Sequence, residues 1–227
     1  MAKKQPEAKK RIYLLEDHAI VREGLRLLIG REPDMEVCGD AGGAAEAFSA
    51  IQALRPDAII TDISMPGMNG IEFIKNLKAL HPEIAVIVLS MHTESDYAER
   101  ALRAGATGYV MKTENSGEII IALRKAFLGE KHLSGKIVDS LLRKALGTLA
   151  MDGPSSPLEA LSDRELEVFE HIGNGKDTND IAASMGVSPK TVETHRMHIK
   201  EKLRISSLSD LIRHAAVWAD HKNSGNP

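Results

Sequence analysis

Ala58-Ile59-Ile60-Thr61-Asp62-Ile63-Ser64-Met65-Pro66-Gly67-Met68-Asn69-Gly70 runs from a short apolar segment into a stretch rich in turn formers. A carboxylate stands at the break. A continuous apolar run of this length, bounded by Pro and Gly, reads as a strand covered on both faces. Asp62 therefore ends a buried strand at a turn. The same arrangement occurs upstream, where Glu16 and Asp17 follow Ile12-Tyr13-Leu14-Leu15. It recurs downstream, where Ser90 ends Ile84-Ala85-Val86-Ile87-Val88-Leu89 and Lys112 follows Gly108-Tyr109-Val110-Met111.

Working outward, the strand segments are 11–16, 35–39, 57–62, 84–90 and 107–111. Between and after them lie 18–30, 43–54, 70–80, 94–104 and about 117–129, with apolar residues three and four apart, the helical period. Five strand–helix units predict an α/β domain, a five-stranded doubly wound parallel sheet. Such sheets bind ligands at the carboxyl ends of their strands, near the point where the strand order reverses. Glu16, Asp17, Asp62, Ser90 and Lys112 all fall at such ends.

That set of groups has a chemistry. Mg²⁺ is a hard cation with oxygen ligands, and Asp17 and Asp62 supply two carboxylates, with Glu16 a third, direct or through water. Three acids placed together repel one another, and a divalent cation relieves the repulsion. Asp62 then serves as a carboxylate nucleophile toward phosphorus. Lys112 offers a compact positive charge, and Ser90 a hydroxyl, to the phosphoryl oxygens. Taken singly, each residue has a plainer reading: Asp62 as a turn former, Glu16-Asp17 as a helix cap, Ser90 and Lys112 as surface groups. The joint placement at four strand ends favours a phosphorylation site.

The 227 residues allow two domains. Apolar residues make up 43%, which suits a globular chain, and the net charge of −3 excludes bulk attraction to nucleic acid. A single cysteine, Cys38, excludes an internal disulfide or a cysteine zinc site and reads as a small buried hydrophobe. Residues 1–11 are basic without an apolar stretch, unlike a signal peptide. No run reaches the ~18 apolar residues of a membrane helix, so a soluble, cytoplasmic chain is expected.

The second half changes character. Gly147 to Pro157 carries Gly147, Gly153, Pro154, Ser155, Ser156 and Pro157, the composition of a linker, after a short helix predicted at 141–146. Helical segments follow at 162–173, 178–185, 189–204 and 207–220, with no strand pattern. Ser162 and Glu165 are spaced as a capping box. Gly186 marks a turn, Ser188 an N-cap and Pro189 a first helical position, so this is a helix-turn-helix whose second helix, Lys190 to Arg204, suits the DNA major groove. From Leu158 to Pro227 there are nine Lys+Arg against eleven Asp+Glu. Within Lys190–Arg204, five cations (Lys190, Arg196, Lys200, Lys202, Arg204) oppose Glu193 and Glu201, a local +3. The basic signal is confined to one helix, as suits a small footprint on phosphates. The last helix carries Leu208, Leu211, Ile212, Ala215 and Trp218 on one apolar face, which packs on its own domain or on a partner.

These motifs resemble a known family. Leu-Leu-Glu16-Asp17-His18, Thr-Asp62-Ile-Ser-Met-Pro-Gly-Met-Asn-Gly70, Val-Leu-Ser90 and Gly-Tyr-Val-Met-Lys112 are similar to receiver domains of two-component response regulators. Leu161-Ser-Asp-Arg-Glu-Leu-Glu-Val-Phe, Ile172-Gly-Asn-Gly175, Asp180-Ile-Ala182 and Ser188-Pro-Lys-Thr-Val-Glu-Thr-His195-Arg196 resemble a LuxR-type output domain. About nine-tenths of the chain resembles the NarL/FixJ class. The resemblance implies a flavodoxin-like receiver at 11–130, a linker with a short helix at 131–157, and an all-α, four-helix DNA-binding domain at 158–222. A disordered basic segment at 1–10 and a disordered tail at 223–227 flank them.

The resemblance further implies that a sensor histidine kinase phosphorylates Asp62. Mg²⁺ then lies on Glu16, Asp17, Asp62 and the backbone carbonyl of Ser64, while Ser90 moves to the phosphoryl group and Tyr109 turns inward. It implies that Glu193, Thr194 and Met197 face bases of double-stranded promoter DNA, with Lys190, Thr191, His195, Arg196 and Lys200 nearer phosphates. Part of the Leu208–Trp218 face becomes the contact of a homodimer formed on phosphorylation, and RNA polymerase is a further candidate partner. Thr178-Asn179 departs from the Asn-Lys common in the family, so a backbone-contacting lysine is absent there. Three rival readings are a quorum sensor on the same output domain, a phosphatase or hydrolase on the same sheet, and a receiver that binds proteins without phosphate. The acids argue against the first. The lack of a second acid–base residue beside Asp62 argues against the second. The complete set of five site residues argues against the third.

Overall fold

The computed structural model describes residues 8–91, 95–135, 137–139, 142 and 157–224. Its contacts divide into two units, one formed mainly by the first 134 residues and one mainly by the remainder. In the first, five strands alternate with helices. They are β1 (Lys10–Leu15), α1 (Ala19–Gly30), β2 (Met35–Ala41), α2 (Ala44–Leu54), β3 (Ala58–Thr61), α3 (Gly70–Leu80), β4 (Ala85–Ser90), α4 (Ser95–Ala104), β5 (Gly108–Met111) and α5 (Gly117–Phe127). All pairings are parallel, in the order β2-β1-β3-β4-β5. The expected doubly wound sheet is present.

The physical basis is the apolar strand content. Ile12, Leu14, Ala58, Ile60, Ile87, Leu89 and Val110 form one face of the sheet with Leu25 and Ile29 of α1 and Ile119, Ala122, Leu123 and Ala126 of α5. Apart from the partly buried Ala85 that opens β4, the middle strands are buried throughout, so no alternating pattern survives in them. β1 lies between β2 and β3, so the strand order reverses at its two neighbours. The crevice beyond the ends of β1 and β3 is where this fold places ligands.

Two boundaries differ from expectation. Lys10 belongs to β1 rather than to a disordered segment: it pairs with Met35, and its ammonium lies 3.1 Å from Asp57 and over the Phe127 ring. Apart from Leu142, the short helix predicted at 141–146 lies outside the described residues, as does most of the linker.

In the second unit a short 3₁₀ turn at Pro157–Ala160 leads into α6 (Asp163–Gly173), α7 (Thr178–Met185), α8 (Pro189–Lys202) and α9 (Leu208–Ser224). Each junction follows from local chemistry. Ser162 and Glu165 form the predicted capping box on α6, Asp177 caps α7, and Gly186 takes a left-handed conformation (φ 63°) after α7. Ser188 caps α8, with Pro189 in the first turn. The last helix continues to Ser224, past the expected tail boundary at 223; Asp220-His221-Lys222-Asn223 holds no breaker, and Gly225 is the first stop signal. Gly173 lets α6 and α9 close on each other, since a Cβ there would lie 2.4 Å from the Ala215 carbonyl oxygen.

Candidate phosphoryl site and DNA-reading helix

The sheet ladder delivers the acids to one point. Beyond the last regular pairs, the Glu16 amide donates to the Ala41 carbonyl (3.1 Å), Asp62 to Leu15 (3.0 Å) and Lys112 to Ser90 (2.8 Å). The backbone of each site residue is thus fixed before its side chain is considered. Glu16, Asp62 and Ser90 are all buried. Asp62 Oδ1 accepts from its neighbours' amides, Ile63 at 2.6 Å and Ser64 at 3.3 Å. Lys112 Nζ reaches Asp62 Oδ2 at 2.6 Å and Glu16 Oε2 at 2.7 Å.

Glu16, Asp17, His18 and Asp62 each offer a ligand atom, all within 4.8 Å of one another. Glu16 Oε2 and Asp17 Oδ1 are buried, with Lys112 Nζ beside the first and His18 Nδ1 beside the second. Convergent carboxylates fit a small, hard divalent cation. The electrostatics agree. Burial raises the pKa of Glu16; Lys112 opposes the rise and Asp62 adds to it. Burial would lower Lys112, but the charge of Asp62 and hydrogen bonds to both acids hold it above its ordinary value.

Three residues enter whose contacts the sequence reading did not give. His18 Nδ1 stands 2.9 Å from Glu16 and 2.8 Å from Asp17, and its pKa is raised by the Glu16 hydrogen bond and then by the charge of Asp17. Its place directly after the two acids was the only available signal. Gly70 opens α3 against the site, where a Cβ would lie 2.0 Å from the Asp62 carbonyl oxygen. The third, Thr178, belongs to the output domain. Tyr109 and Ser90 are both fully buried here, so the Tyr109 ring already lies inside the protein.

On α8, Val192, Arg196 and Ile199 face inward. Lys190, Glu193, Thr194 and Met197 form an exposed stripe at spacings of three and four, and Thr191, His195 and Lys200 are partly covered. The stripe holds all three residues expected to face bases. Arg196 was expected near phosphates, but it is only 8% exposed and is turned inward. Its Nη1 donates to Thr178 Oγ1 (2.5 Å) and to Glu193 Oε1 (3.1 Å). The Thr178 hydroxyl donates to the same Glu193 oxygen at 2.7 Å. So the departure at Thr178 has a local role: a short hydroxyl closes a triangle between α7 and α8. Lys202 is likewise committed, at 2.6 Å from the buried Glu165. These two pairings reduce the positive charge that α8 can present outward.

The apolar face of α9 divides. Leu211 and Ala215 are buried in the domain, and Trp218 packs on Phe169 with ring centroids 5.6 Å apart. Leu208 and Ile212 remain exposed.

Residues 12–124 match the response regulator receiver domain, and residues 159–215 match the luxR family of bacterial regulatory proteins. The oxygen regulatory protein NreC of Staphylococcus epidermidis is 34% identical over 209 residues, covering 90% of this chain and 96% of that protein. A LuxR-family two-component response regulator from Aurantimonas sp. SI85-9A1 is 32% identical, with a TM-score of 0.58, over 61% of this chain and 99% of that one. RcsB from Salmonella enterica serovar Typhimurium, solved on the promoter rprA with the phosphomimetic BeF3-, is 25% identical, with a TM-score of 0.63, over 92% of this chain and 98% of that one. Among the described residues no helix is long and apolar enough to cross a membrane.

Proposed function

The chain belongs to the two-component response regulators of the NarL class, a receiver domain joined to a LuxR-type DNA-binding domain, and on that premise we propose that phosphorylation of Asp62 by a sensor histidine kinase controls its binding to promoter DNA. The observation that carries this reading is the contact of Lys112 with both Asp62 and Glu16 inside a cluster of converging acids.

In the proposed reaction an Asp62 carboxylate oxygen attacks phosphorus, and the bond from phosphorus to the donor's histidine nitrogen breaks. Two backbone amides hold Asp62 Oδ1, which fixes the carboxylate plane before attack. Glu16, Asp17, Asp62 and the Ser64 carbonyl would hold Mg²⁺, which when bound offsets charge on the transferring group. Lys112 exchanges a carboxylate partner for a phosphoryl oxygen, and Ser90 donates its hydroxyl to another. The phosphoryl-bound state thereby gains contacts that the free state lacks, and this difference is what shifts the population. We place the protein in the cytoplasm, where a kinase and DNA are both within reach. The phosphorylated form is a homodimer, with Leu208 and Ile212 as the part of α9 left for the contact, and RNA polymerase is a candidate partner at the promoter.

The test is incubation with acetyl phosphate and Mg²⁺ followed by intact-mass measurement. The natural chain gains one phosphoryl group, and Asp62→Asn gains none. Undiminished labelling of Asp62→Asn would sink the assignment.

A further inference from the structure

Over its first turns, the outward stripe of α8 carries one carboxylate, Glu193, and that carboxylate is tethered. Glu193 is 58% exposed at its side chain, yet Oε1 accepts from both the Thr178 hydroxyl and the Arg196 guanidinium. Arg196 in turn donates to Thr178, so the three groups close on one another. No hydrogen bond to Glu193 Oε2 occurs among the described residues. An exposed i,i+3 ion pair by itself is a weak and common feature of helix surfaces. This one differs, because the cation is buried and the hydroxyl comes from the preceding helix. A glutamate on a helix surface ordinarily spreads over several rotamers. Here two donors confine it by one oxygen, Oε1, while the side chain stays 58% exposed.

A fixed carboxylate is a demanding reader of DNA. It is repelled by phosphates and by the acceptors of guanine and thymine, and it is satisfied only by an exocyclic amino group, with cytosine N4 the usual donor. We infer that Glu193 is a specificity-determining acceptor that selects cytosine at one position of each half-site, and that Arg196 and Thr178 are positioning residues that hold it. The inference rests on the proposed function, in which α8 enters the major groove. It also changes the expected role of Arg196 from a phosphate contact to a support for base reading.

The test is selection from a random duplex library by the full-length chain treated with acetyl phosphate and Mg²⁺. The natural chain enriches cytosine at one column of the site. Glu193→Ala flattens that column by about tenfold and leaves the other columns intact. Glu193→Gln moves the preference from cytosine to adenine, the base a carboxamide reads. Thr178→Val keeps the carboxylate and loosens its tether, so the same column weakens by about threefold while affinity for a non-selected duplex is unchanged. Trp218 fluorescence, from the chain's one tryptophan, verifies that each variant is folded. A selected site indifferent to Glu193→Ala, or a loss spread equally over all columns, overturns this inference alone. A natural chain that enriches no sequence overturns the proposed function and this inference together.

Discussion

Lys112 has two carboxylate partners, and the proposed switch requires it to leave at least one of them. With Asp62 at 2.6 Å and Glu16 at 2.7 Å, it is the cation that lets two buried acids coexist. Removing it leaves a phosphoryl group without its fixed donor, and an unpaired buried anion is costly. Lys112→Ala is therefore expected to accept phosphate from acetyl phosphate while losing most of the phosphorylation-dependent gain in DNA affinity. Mass measurement and binding titration on the same samples give both quantities. A variant that still responds as the natural chain does would remove Lys112 from the switch. Gly70 acts on the same site through the backbone. A methyl group at Gly70 lies 2.0 Å from the Asp62 carbonyl oxygen, a distance that only backbone movement can relieve. Gly70→Ala is expected to slow labelling of Asp62 and to lower receiver stability by about 1–3 kcal/mol. Labelling at the natural rate would show that the strand end tolerates the shift.

Among the elements, what was legible in the sequence follows a rule. Strands β1 and β3–β5 are read from continuous apolar runs because each is covered on both faces. The starts of α6 and α8 are read from Ser162, Ser188 and Pro189, and the end of α7 from Gly186, whose roles are local; the Asp177 cap of α7 was not read. The meeting of Glu16, Asp17, Asp62 and Lys112 was legible for the same reason: one strand end is a place, and several strand ends of a doubly wound sheet are one place. Arg196 and Lys202 were not legible, because a cation looks the same in sequence whether it faces phosphate or a carboxylate on another helix. Glu165 shows the consequence. Its capping role is local and predicted, but its contact with Lys202, 37 residues away, is tertiary. Burial would raise its pKa; the hydrogen bond from Lys202 and those from Ser162 prevail and hold it below the ordinary 4.5. A depressed folded-state pKa means that the charged form stabilises the fold above the unfolded value, and that this contribution is lost as pH falls through the folded value. Glu165→Gln is expected to destabilise the output domain at pH 7, and the gap to the natural chain should close below about pH 4.5. Urea titrations followed by Trp218 fluorescence measure it, and a gap that persists unchanged into acid would assign the loss to packing.

For the whole molecule, the central quantity is how a change at Asp62 becomes a change in DNA affinity. The output domain has few cations free to face phosphates, with Arg196 and Lys202 committed internally. A single copy therefore gains little from counterion release and should bind one half-site weakly. Linking two copies makes the second contact effectively intramolecular, which raises affinity without any new contact to DNA. Phosphorylation-driven dimerisation is accordingly expected to raise affinity at least about tenfold on a duplex with two half-sites, and to leave affinity for a single half-site nearly unchanged. A fragment from residue 157 onward should match the unphosphorylated full chain on both duplexes. Fusing a constitutive dimeriser to that fragment should restore tight binding to the paired site alone. If instead the bare fragment binds a single half-site more tightly than the unphosphorylated chain does, the receiver restrains the recognition helix directly, and release rather than pairing is the step that phosphorylation controls.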